Sequence, residues 1–407
     1  MPREFEVIVW GATGFTGRLV AEYFLGRYGV GQELNWAIAG RNEAKLGKVR
    51  SELGAGCDDL PMLVGDSDDQ EFLTALAART RVVCTTVGPY ALYGSKLVRA
   101  CAERGTHYCD LTGEVQWMRR MIDEHHDTAR SSGARIVHTC GFDSIPSDMG
   151  VHLMQREMRA RHGVACAAVK YRTREFKGGF SGGTVASMLN MMEEVERDPS
   201  INEVLEDPYG LNPSGERRGL DGPENNLARY DDEFGAWAAP FMMAAINTKV
   251  VRRSNALLDH AYGNEFRYDE ATLLAEPLGM AKAIAMSGGT ALLNAALGLG
   301  GLRRMLAKTL PDPGEGPDKA ARESGFFHIE LLGKHPTDAS YDVRGQVRGD
   351  RDPGYGATAR MLGESAVCLA KDELHSSGGI LTPAVAMGDA LLERLNLNAG
   401  VKFTVEN

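Results

Sequence analysis

Residues 7–17 read VIVWGATGFTG, a run of strand-forming residues that passes directly into three glycines spaced three apart. A glycine turn between a strand and a helix is typical of a dinucleotide-binding βαβ unit, in which helix N–H groups hold the phosphates. Gly11 permits the tight turn, Gly14 lets a pyrophosphate approach the backbone, and Gly17 lets the helix pack against the sheet. The predicted cofactor-binding turn comprises Gly11, Ala12, Thr13, Gly14, Phe15, Thr16 and Gly17.

The end of the second predicted strand indicates which dinucleotide is bound. Enzymes that use NAD usually place an acidic residue there, which binds the ribose 2′-hydroxyl. Here the strand ends in AIAGRN, so Arg41 stands at this position and Lys45 lies one helical turn later. A guanidinium pairs with a 2′-phosphate, which a carboxylate would repel. We therefore expect NADP as the cofactor; the alternative is an exposed arginine at a helix start.

Strand and helix patterns alternate regularly through the first 140 residues. Strands that alternate with helices at this spacing predict a parallel sheet with right-handed crossovers. We therefore predict an α/β protein with a Rossmann-type doubly wound parallel sheet. The strand-like runs are FEVIVW (5–10), LNWAIAG (34–40), LPMLVGD (60–66), RVVCTTVG (81–88), THYCDLTG (106–113) and ARIVHTCG (134–141).

The pattern changes in the second part of the chain, which predicts an α+β domain with a mainly antiparallel sheet. Its alternating runs are CAAVKYRTREF (166–176), FFHIELLG (326–333) and YDVRGQVRG (341–349), and two helical patterns follow at 357–372 and 382–395. We predict an NADP-binding domain of residues 1–146, joined by C-terminal helices from 352–407. Residues 147–351 would form a second domain for substrate binding and dimerisation.

Composition and charge limit the classes of partner and the compartment. A net charge of -10 disfavours binding to nucleic acid. The seven cysteines form no C-x-x-C pair and no zinc-ligand spacing with histidine, which indicates a reducing compartment and no metal site. No export signal is evident at the N-terminus. We therefore expect a cytoplasmic protein.

Residues 278–302, LGMAKAIAMSGGTALLNAALGLGGL, form one long, weakly polar stretch. Its length would suffice to cross a bilayer, but Lys282 and its glycines make a spanning helix improbable. We expect a pair of buried helices broken at residues 287–289. The alternative is a helix that lies at a membrane surface or covers an acyl chain, which would make the protein peripherally membrane-associated.

Several motifs together resemble the saccharopine dehydrogenase-like oxidoreductases, and within them the actinobacterial trans-acting enoyl reductase branch. The motifs are GATGFTG, AGR, VGPYALYG, HYCDLTGE, GFDSIPSDMG, SGGT (181–184), PGEGP (313–317) and GGILTPAVAMGD (378–389). The resemblance implies an NADP-binding domain, a second domain whose sheet forms a homodimer, and C-terminal helices that return to the first domain. It also implies reduction of an α,β-unsaturated acyl thioester, held by a carrier protein of a polyketide synthase, in long-chain lipid synthesis.

Ligands of such folds bind beyond the carboxyl ends of the strands. Asp66 follows the third strand, where such folds contact the adenine, and it could equally cap the next helix. Gly88 and Pro89 follow the fourth strand, next to the expected nicotinamide.

Enoyl reduction needs a hydride, a hydrogen-bond donor to the enolate oxygen and a proton for the α-carbon. Tyr90 is the candidate donor, and Asp143 and Ser144 could orient substrate or a proton-relaying water. Two of them have a structural alternative: Tyr90 could cap a helix and pack on the cofactor, and Ser144 could satisfy N–H groups at a helix start.

The second domain offers two candidate anion sites. Gly182 and Gly183 open a helix whose N-terminus could accept a phosphate or carboxylate, and an ordinary turn is the alternative. Lys170, Arg172 and Arg174 share one strand face, which could be a solvated surface, a docking strip for an acidic carrier domain, or a clamp for a diacid.

Two functions other than enoyl reduction stay open: a saccharopine-type amino-acid dehydrogenase that reduces C=N, and a non-catalytic NADP-binding, lipid-associated protein.

Overall fold

The computed structural model describes residues 3–179, 182–298 and 316–406. The strands in these ranges are β1 Phe5–Trp10, β2 Trp36–Gly40, β3 Met62–Val64, β4 Thr80–Thr85, β5 His107–Cys109, β6 Arg135–Val137, β7 Ala168–Lys177, β8 Arg229–Asp231, β9 Ala236–Ala239, β10 Arg267–Leu274, β11 Phe326–Lys334, β12 Val343–Gly349, β13 Gly379–Leu381 and β14 Val401–Val405. The helices are α1 Phe15–Tyr28, α2 Glu43–Leu53, α3 Gln70–Arg79, α4 Tyr90–Tyr93, α5 Ser95–Arg104, α6 Val115–Ser132, α7 Ile145–His162, α8 Gly182–Arg197, α9 Ile201–Glu206, α10 Ala244–Leu257, α11 Gly279–Gly298, α12 Lys319–Glu323, α13 Thr358–Lys371 and α14 Pro383–Arg394.

The first sheet is the doubly wound parallel sheet that the sequence predicts. Its strand order is β13-β6-β5-β4-β1-β2-β3, and each of its pairings is parallel. β1 is buried from both sides, because Val7 and Val9 pack with α1 and α13 whereas Ile8 and Trp10 pack with α3, α5 and α6. All carboxyl ends lie at one edge of the sheet, where the connecting loops gather into a ligand-binding crevice.

The second sheet is mixed and mainly antiparallel, as the sequence predicts. Its order is β14-β12-β11-β7-β10-β9-β8, and β7 with β10 is its parallel pairing. Helices α7 and α10 pack against this sheet and against each other. Because α7 begins at Ile145, soon after β6, it leads directly from the carboxyl edge of the first sheet to the second.

The C-terminal stretch contains more than the two predicted helices. α13 packs against β1, β4 and α1 of the first sheet layer. β13 extends the first sheet beside β6, whereas β14 pairs with β12 in the second sheet, and neither strand was predicted. The sequence assigns residues 352–407 to the first domain, but β14, which lies within this range, belongs to the second sheet. The domain limits themselves remain a prediction.

The expectation of two buried helices within residues 278–302 is wrong for the residues that the structure describes. α11 is one continuous helix through the Ser287 to Gly289 region, and most of it is exposed; residues 299–302 lie outside the described ranges. Its exposed apolar side chains include Ile284 and Leu292, the latter 73% exposed. Periodicity alone indicated the helix but not what covers it. No helix in the described part of the chain has the length and hydropathy to span a bilayer.

Candidate functional site

The glycine turn between β1 and α1 leaves no room for side chains. Gly11 adopts a φ of +92°, and a Cβ at Gly17 would lie 2.2 Å from the Gly11 carbonyl oxygen. A Cβ at Gly14 would lie 3.3 Å from the same oxygen. Gly14 is the N-cap of α1 and has no side chain to occupy the first helical amides. The turn therefore fits the pyrophosphate of a dinucleotide.

The other predicted turn residues surround this backbone. Ala12 is buried, whereas Thr13 and Thr16 are partly exposed. The ring of Phe15 meets the Tyr355 ring edge-on at 4.8 Å, and the Arg322 guanidinium lies 5.3 Å from the Phe15 ring. Contacts from the 316–355 part of the chain thus reach the turn.

Arg41 and Lys45 stand where the sequence predicts contact with the 2′-phosphate. Both are exposed just beyond β2, and Arg41 makes no ion pair within the described residues. Asn42 caps α2 by accepting a hydrogen bond from the Lys45 amide at 2.9 Å. A free guanidinium at this position can pair with a phosphate.

Asp66 lies exposed beyond β3, and its carboxylate accepts a hydrogen bond from the Asp68 amide at 2.9 Å. Asp69, not Asp66, caps α3 by accepting from the Phe72 amide at 3.0 Å. The helix-cap alternative for Asp66 is therefore wrong, and its contact with the adenine stays a prediction.

The loop after β4 contains Gly88, Pro89 and Tyr90. Gly88 is exposed at the crevice, whereas Tyr90 is only 3% exposed and stacks on Trp117 with 5.5 Å between ring centroids. The Tyr90 hydroxyl donates to the Thr85 carbonyl at 3.3 Å, and burial raises its pKa well above the ordinary value. The hydroxyl is thus engaged inside the first domain. Tyr90 as the reaction's donor stays a prediction that this contact does not favour.

Glu114, which the sequence analysis did not assign a role, holds this loop in place. Its carboxylate accepts from the Tyr90 amide at 2.8 Å and the Ala91 amide at 2.9 Å. It also accepts from the Ser187 hydroxyl of α8 at 2.7 Å. Burial raises the Glu114 pKa, and these three donors oppose the rise. One carboxylate therefore joins the loop beside the predicted nicotinamide position to α8, the helix that follows β7 of the second sheet.

Asp110 organises the ends of β5 and β6. Its carboxylate accepts from the Tyr108 hydroxyl, the His138 ring nitrogen Nδ1, and the Thr112 and Thr139 amides, at 2.7 to 3.1 Å. Thr139 adopts a φ of +62°, which is unusual for a β-branched residue and is held by this bond. The backbone that leads to Asp143 is therefore fixed in one conformation.

Asp143 lies beyond the carboxyl end of β6, and one oxygen of its carboxyl group lacks a hydrogen-bond partner in the described ranges. This oxygen, Oδ2, is buried. Burial raises the Asp143 pKa well above its ordinary value, and the nearby Asp110 raises it further. A carboxyl group whose pKa is raised binds its proton more tightly than an ordinary aspartate does, and it can act as a proton donor.

Ser144 begins a buried polar chain that links the two sheets. Its hydroxyl donates to Asn247 Oδ1 at 3.0 Å, and Asn247 Nδ2 donates to Glu270 Oε2 at 3.0 Å. Tyr268 donates its hydroxyl to Glu270 Oε1 at 2.6 Å, and burial raises the Glu270 pKa to about 7. Ser144 is the N-cap of α7 but makes no side-chain cap, so the helix-cap alternative for Ser144 is wrong.

The cationic strip on β7 is neutralised by neighbouring carboxylates. Arg172 pairs with Asp231 at 2.7 Å and Asp269 at 2.8 Å, and Arg174 pairs with Glu330 at 2.7 Å. Lys170 pairs with Glu233. Since each cation already has an acidic partner, the strip does not present free charge to a diacid substrate.

The helix that Gly182 and Gly183 were predicted to open does begin at Gly182. Ser181 of the SGGT motif and residues 313–315 of the PGEGP motif lie outside the described residues. An anion at this helix start stays a prediction.

The chain is similar to named proteins over nearly its whole length. Residues 7–137 match the family model described as saccharopine dehydrogenase NADP binding domain. A provisionally named trans-acting enoyl reductase of Mycobacterium tuberculosis H37Rv is 45% identical over 97% of this chain and 96% of its own length. A trans-acting enoyl reductase of Mycobacterium ulcerans Agy99 is 38% identical over the same shares.

Two solved structures share the fold. Apo saccharopine dehydrogenase (L-Glu forming) from Saccharomyces cerevisiae matches with a TM-score of 0.53 and 11% identity, over 99% of this chain and 100% of that chain. Homospermidine synthase from Legionella pneumophila, solved with NAD, matches with a TM-score of 0.52 and 10% identity, over 99% of this chain and 91% of that chain.

Proposed function

Because this chain belongs to the trans-acting enoyl reductase branch of the saccharopine dehydrogenase-like oxidoreductases, we propose that it reduces the C=C bond of an α,β-unsaturated acyl thioester. Its N-terminal domain is an NADP-binding domain, and the chain is an NADP-dependent oxidoreductase. The geometric observation that carries the proposal is the free Oδ2 of Asp143, which stands at the same sheet edge as the glycine turn.

In the proposed site, one set of residues binds the cofactor and another acts on the substrate. Gly11 to Gly17 hold the pyrophosphate, and Arg41 with Lys45 bind the 2′-phosphate. NADPH, when bound, supplies a hydride for the β-carbon. Asp143 donates the proton that the α-carbon receives, because its buried Oδ2 has no hydrogen-bond partner in the described ranges and burial raises the pKa of its carboxyl group. Ser144 orients the substrate through its bond to Asn247.

The surroundings of Asp143 favour this reaction over the amino-acid dehydrogenase alternative. An enzyme for an amino diacid needs cationic groups that hold carboxylates in the cleft. The basic strip of β7 is already paired with Asp231, Asp269 and Glu330. A neutral thioester makes no such demand. The buried Oδ2 of Asp143, without a hydrogen-bond partner in the described ranges, also favours a catalytic role over a non-catalytic NADP-binding one.

We further propose that the acyl group arrives on a carrier protein of a polyketide synthase, in the cytoplasm. Relatives named as trans-acting support a separate partner, and seven buried free cysteines support a reducing compartment. The exposed apolar side of α11 would contact the acyl chain or a membrane surface. A homodimer through the second sheet rests on the family resemblance, and light scattering tests it.

The test follows NADPH oxidation by the purified protein with a medium-chain 2-enoyl thioester, in wild type and Asp143→Asn. We expect oxidation that needs both NADPH and the thioester and that the variant loses, with NADPH binding retained. A 2-oxo acid with an amine, supplied instead, tests C=N reduction. Turnover of that pair but not of the thioester would refute the proposal, and tight NADPH binding with no turnover would favour a non-catalytic role.

A further inference from the structure

Glu114 joins the loop after β4 to helix α8, which follows β7. It is 2% exposed and stands at the N-cap of α6, yet its side chain does not cap that helix. The carboxylate instead reaches the loop after β4, where it receives the Tyr90 and Ala91 amides. These amides begin the short helix α4, so the carboxylate acts as a cap supplied from another part of the chain.

The third donor to Glu114 comes from α8, the helix that follows β7 of the second sheet. Ser187 of α8 donates to the same Oε1 that receives the Tyr90 amide. A Cβ built on Gly88 would lie 3.6 Å from the Ser187 hydroxyl, so Ser187 also borders the exposed glycine of the loop. α8 therefore contacts both the loop and the carboxylate that holds the loop.

A second contact fixes α8 along the first domain. Glu194, two helical turns after Ser187, accepts from the Gln116 side-chain amide at 2.8 Å and pairs with Arg120 at 3.3 Å. Both partners lie on α6, immediately after Glu114. The docked face of α8 thus runs parallel to the start of α6, with the Ser187 bond at the end nearest the crevice.

We propose that Glu114 and Ser187 form a latch, through which docking of α8 fixes the loop Gly88–Ala91 against the nicotinamide. Both are positioning residues: they act on the reaction through the loop. The effect of the latch on catalysis rests on the proposed function, whereas the structural coupling between α8 and the loop does not. The bond from Ser187 anchors the Glu114 carboxylate to α8, and the anchored carboxylate holds the Tyr90 and Ala91 amides in place. Without the Ser187 bond, the carboxylate would still bond to these two amides, but nothing on α8 would anchor it.

Hydrogen exchange of the cofactor-free protein tests the coupling directly. In Ser187→Ala we expect amide exchange in residues 88–93 to accelerate about tenfold, the effect of one lost bond to a charged acceptor. Ser187→Thr keeps the hydroxyl and should restore protection. Ser131→Ala is the matched control, because the Ser131 hydroxyl bonds to the Asp127 carbonyl of its own helix. Unchanged exchange at 88–93 in Ser187→Ala would overturn the proposal.

Kinetics of the same variants test the link to the reaction. Ser187→Ala should lower kcat about tenfold while the NADPH dissociation constant stays within about twofold, since the glycine turn and Arg41 are untouched. Glu114→Gln should lower kcat further, because the two backbone amides bond to different carboxylate oxygens and only one of the corresponding Gln atoms can accept a hydrogen bond. Equal losses of kcat and NADPH affinity would refute the latch. If wild type reduces no thioester, the proposed function fails, whereas the exchange data still decide the latch.

Discussion

At the scale of single residues, Arg41 should decide between NADPH and NADH. It is exposed and makes no ion pair in the part of the chain that the structure describes, so its full charge is available to a 2′-phosphate. In Arg41→Ala we expect the NADPH dissociation constant to rise roughly 10- to 100-fold, as for a lost bond between charged groups, with NADH affinity unchanged. Nicotinamide fluorescence titration measures both. Lys48→Ala, on helix α2 that follows Arg41 and paired with Glu52, is the control. Equal weakening of both nucleotides would contradict the assignment.

Asp143 should determine how kcat falls at alkaline pH. A proton donor works only while protonated, and burial with the charge of Asp110 keeps the Asp143 pKa well above its ordinary value. We therefore expect kcat to be highest below that raised pKa and to fall as pH rises through it. Asp143→Asn should lower kcat about 10²- to 10⁴-fold and abolish this alkaline limb. Steady-state rates from pH 5 to 10 measure this. Asp127→Asn, in an exposed pair with Arg130, should behave as wild type. An alkaline limb that survives in Asp143→Asn would assign the proton to another group.

The sequence reveals those site residues whose signal is local. The glycine turn and Arg41 are recognised from spacing within one βαβ unit, and their positions are as predicted. Glu114 is different: it ends the motif HYCDLTGE after the fifth strand, but its partner Ser187 is 73 residues away, so no local pattern predicts the bond between them. The bond between Ser144 and Asn247 spans 103 residues and replaces the predicted helix cap. Residues that join distant elements are therefore the ones that sequence reasoning missed.

At the scale of elements, strand and helix patterns predicted the long segments and missed the short ones. β13 has three residues and sits between helices, so it offers no alternation that could be recognised. β14 has five residues, with Val401 and Phe403 buried and Lys402 exposed, but it is too brief to stand out from the preceding helix. α11 was predicted as helix, yet its exposure depends on its neighbours rather than on its own sequence.

The exposed side of α11 should behave as an acyl- or lipid-binding surface. Ile284 is 56% exposed and Leu292 is 73% exposed, on a helix whose one charged residue is Lys282. Replacing both by serine should weaken binding to neutral phosphatidylcholine vesicles several-fold, or raise the KM for long but not for short acyl thioesters several-fold. Each substitution removes apolar area that the contact with lipid or acyl chain would bury. Vesicle flotation and chain-length kinetics separate the two contacts. Leu397→Ser, at an equally exposed leucine elsewhere, is the control. Unchanged flotation and unchanged chain-length preference would exclude both.

The buried chain between α7, α10 and β10 should make stability depend on pH. Burial raises the Glu270 pKa from 4.5 to about 7, so the folded protein holds a proton that the unfolded chain releases above 4.5. Glu270 therefore lowers the free energy of unfolding as pH rises from 4.5 to about 7, by roughly 3 kcal/mol. Glu270→Gln cannot ionise and should gain this amount relative to wild type across the interval. Urea unfolding at pH 4.5 and 7.5 measures it, and Glu103→Gln, an exposed glutamate, should show no such gain.

At the scale of the whole molecule, the C-terminal stretch joins the two sheets. α13 packs on the first sheet, β13 extends that sheet, and β14 then crosses to the edge of the second sheet. α7 makes the reverse connection, from the end of β6 to the second sheet. Because the chain passes between the sheets in both directions, neither sheet can lose its edge strand or covering helix without disturbing the other.

Thermal unfolding should consequently be a single transition that responds to changes at either sheet. Phe403 is 5% exposed on β14, so Phe403→Ala should destabilise the protein by about 3–5 kcal/mol through the cavity it leaves. We expect one transition at lower temperature, in which the first sheet also unfolds, and saturating NADPH should shift the whole transition upward. Calorimetry with and without NADPH measures this, and Lys402→Ala, exposed on the same strand, should leave the transition unchanged. If Phe403→Ala instead gave two transitions, of which NADPH shifted only one, the sheets would unfold independently and the C-terminal connection would not couple them.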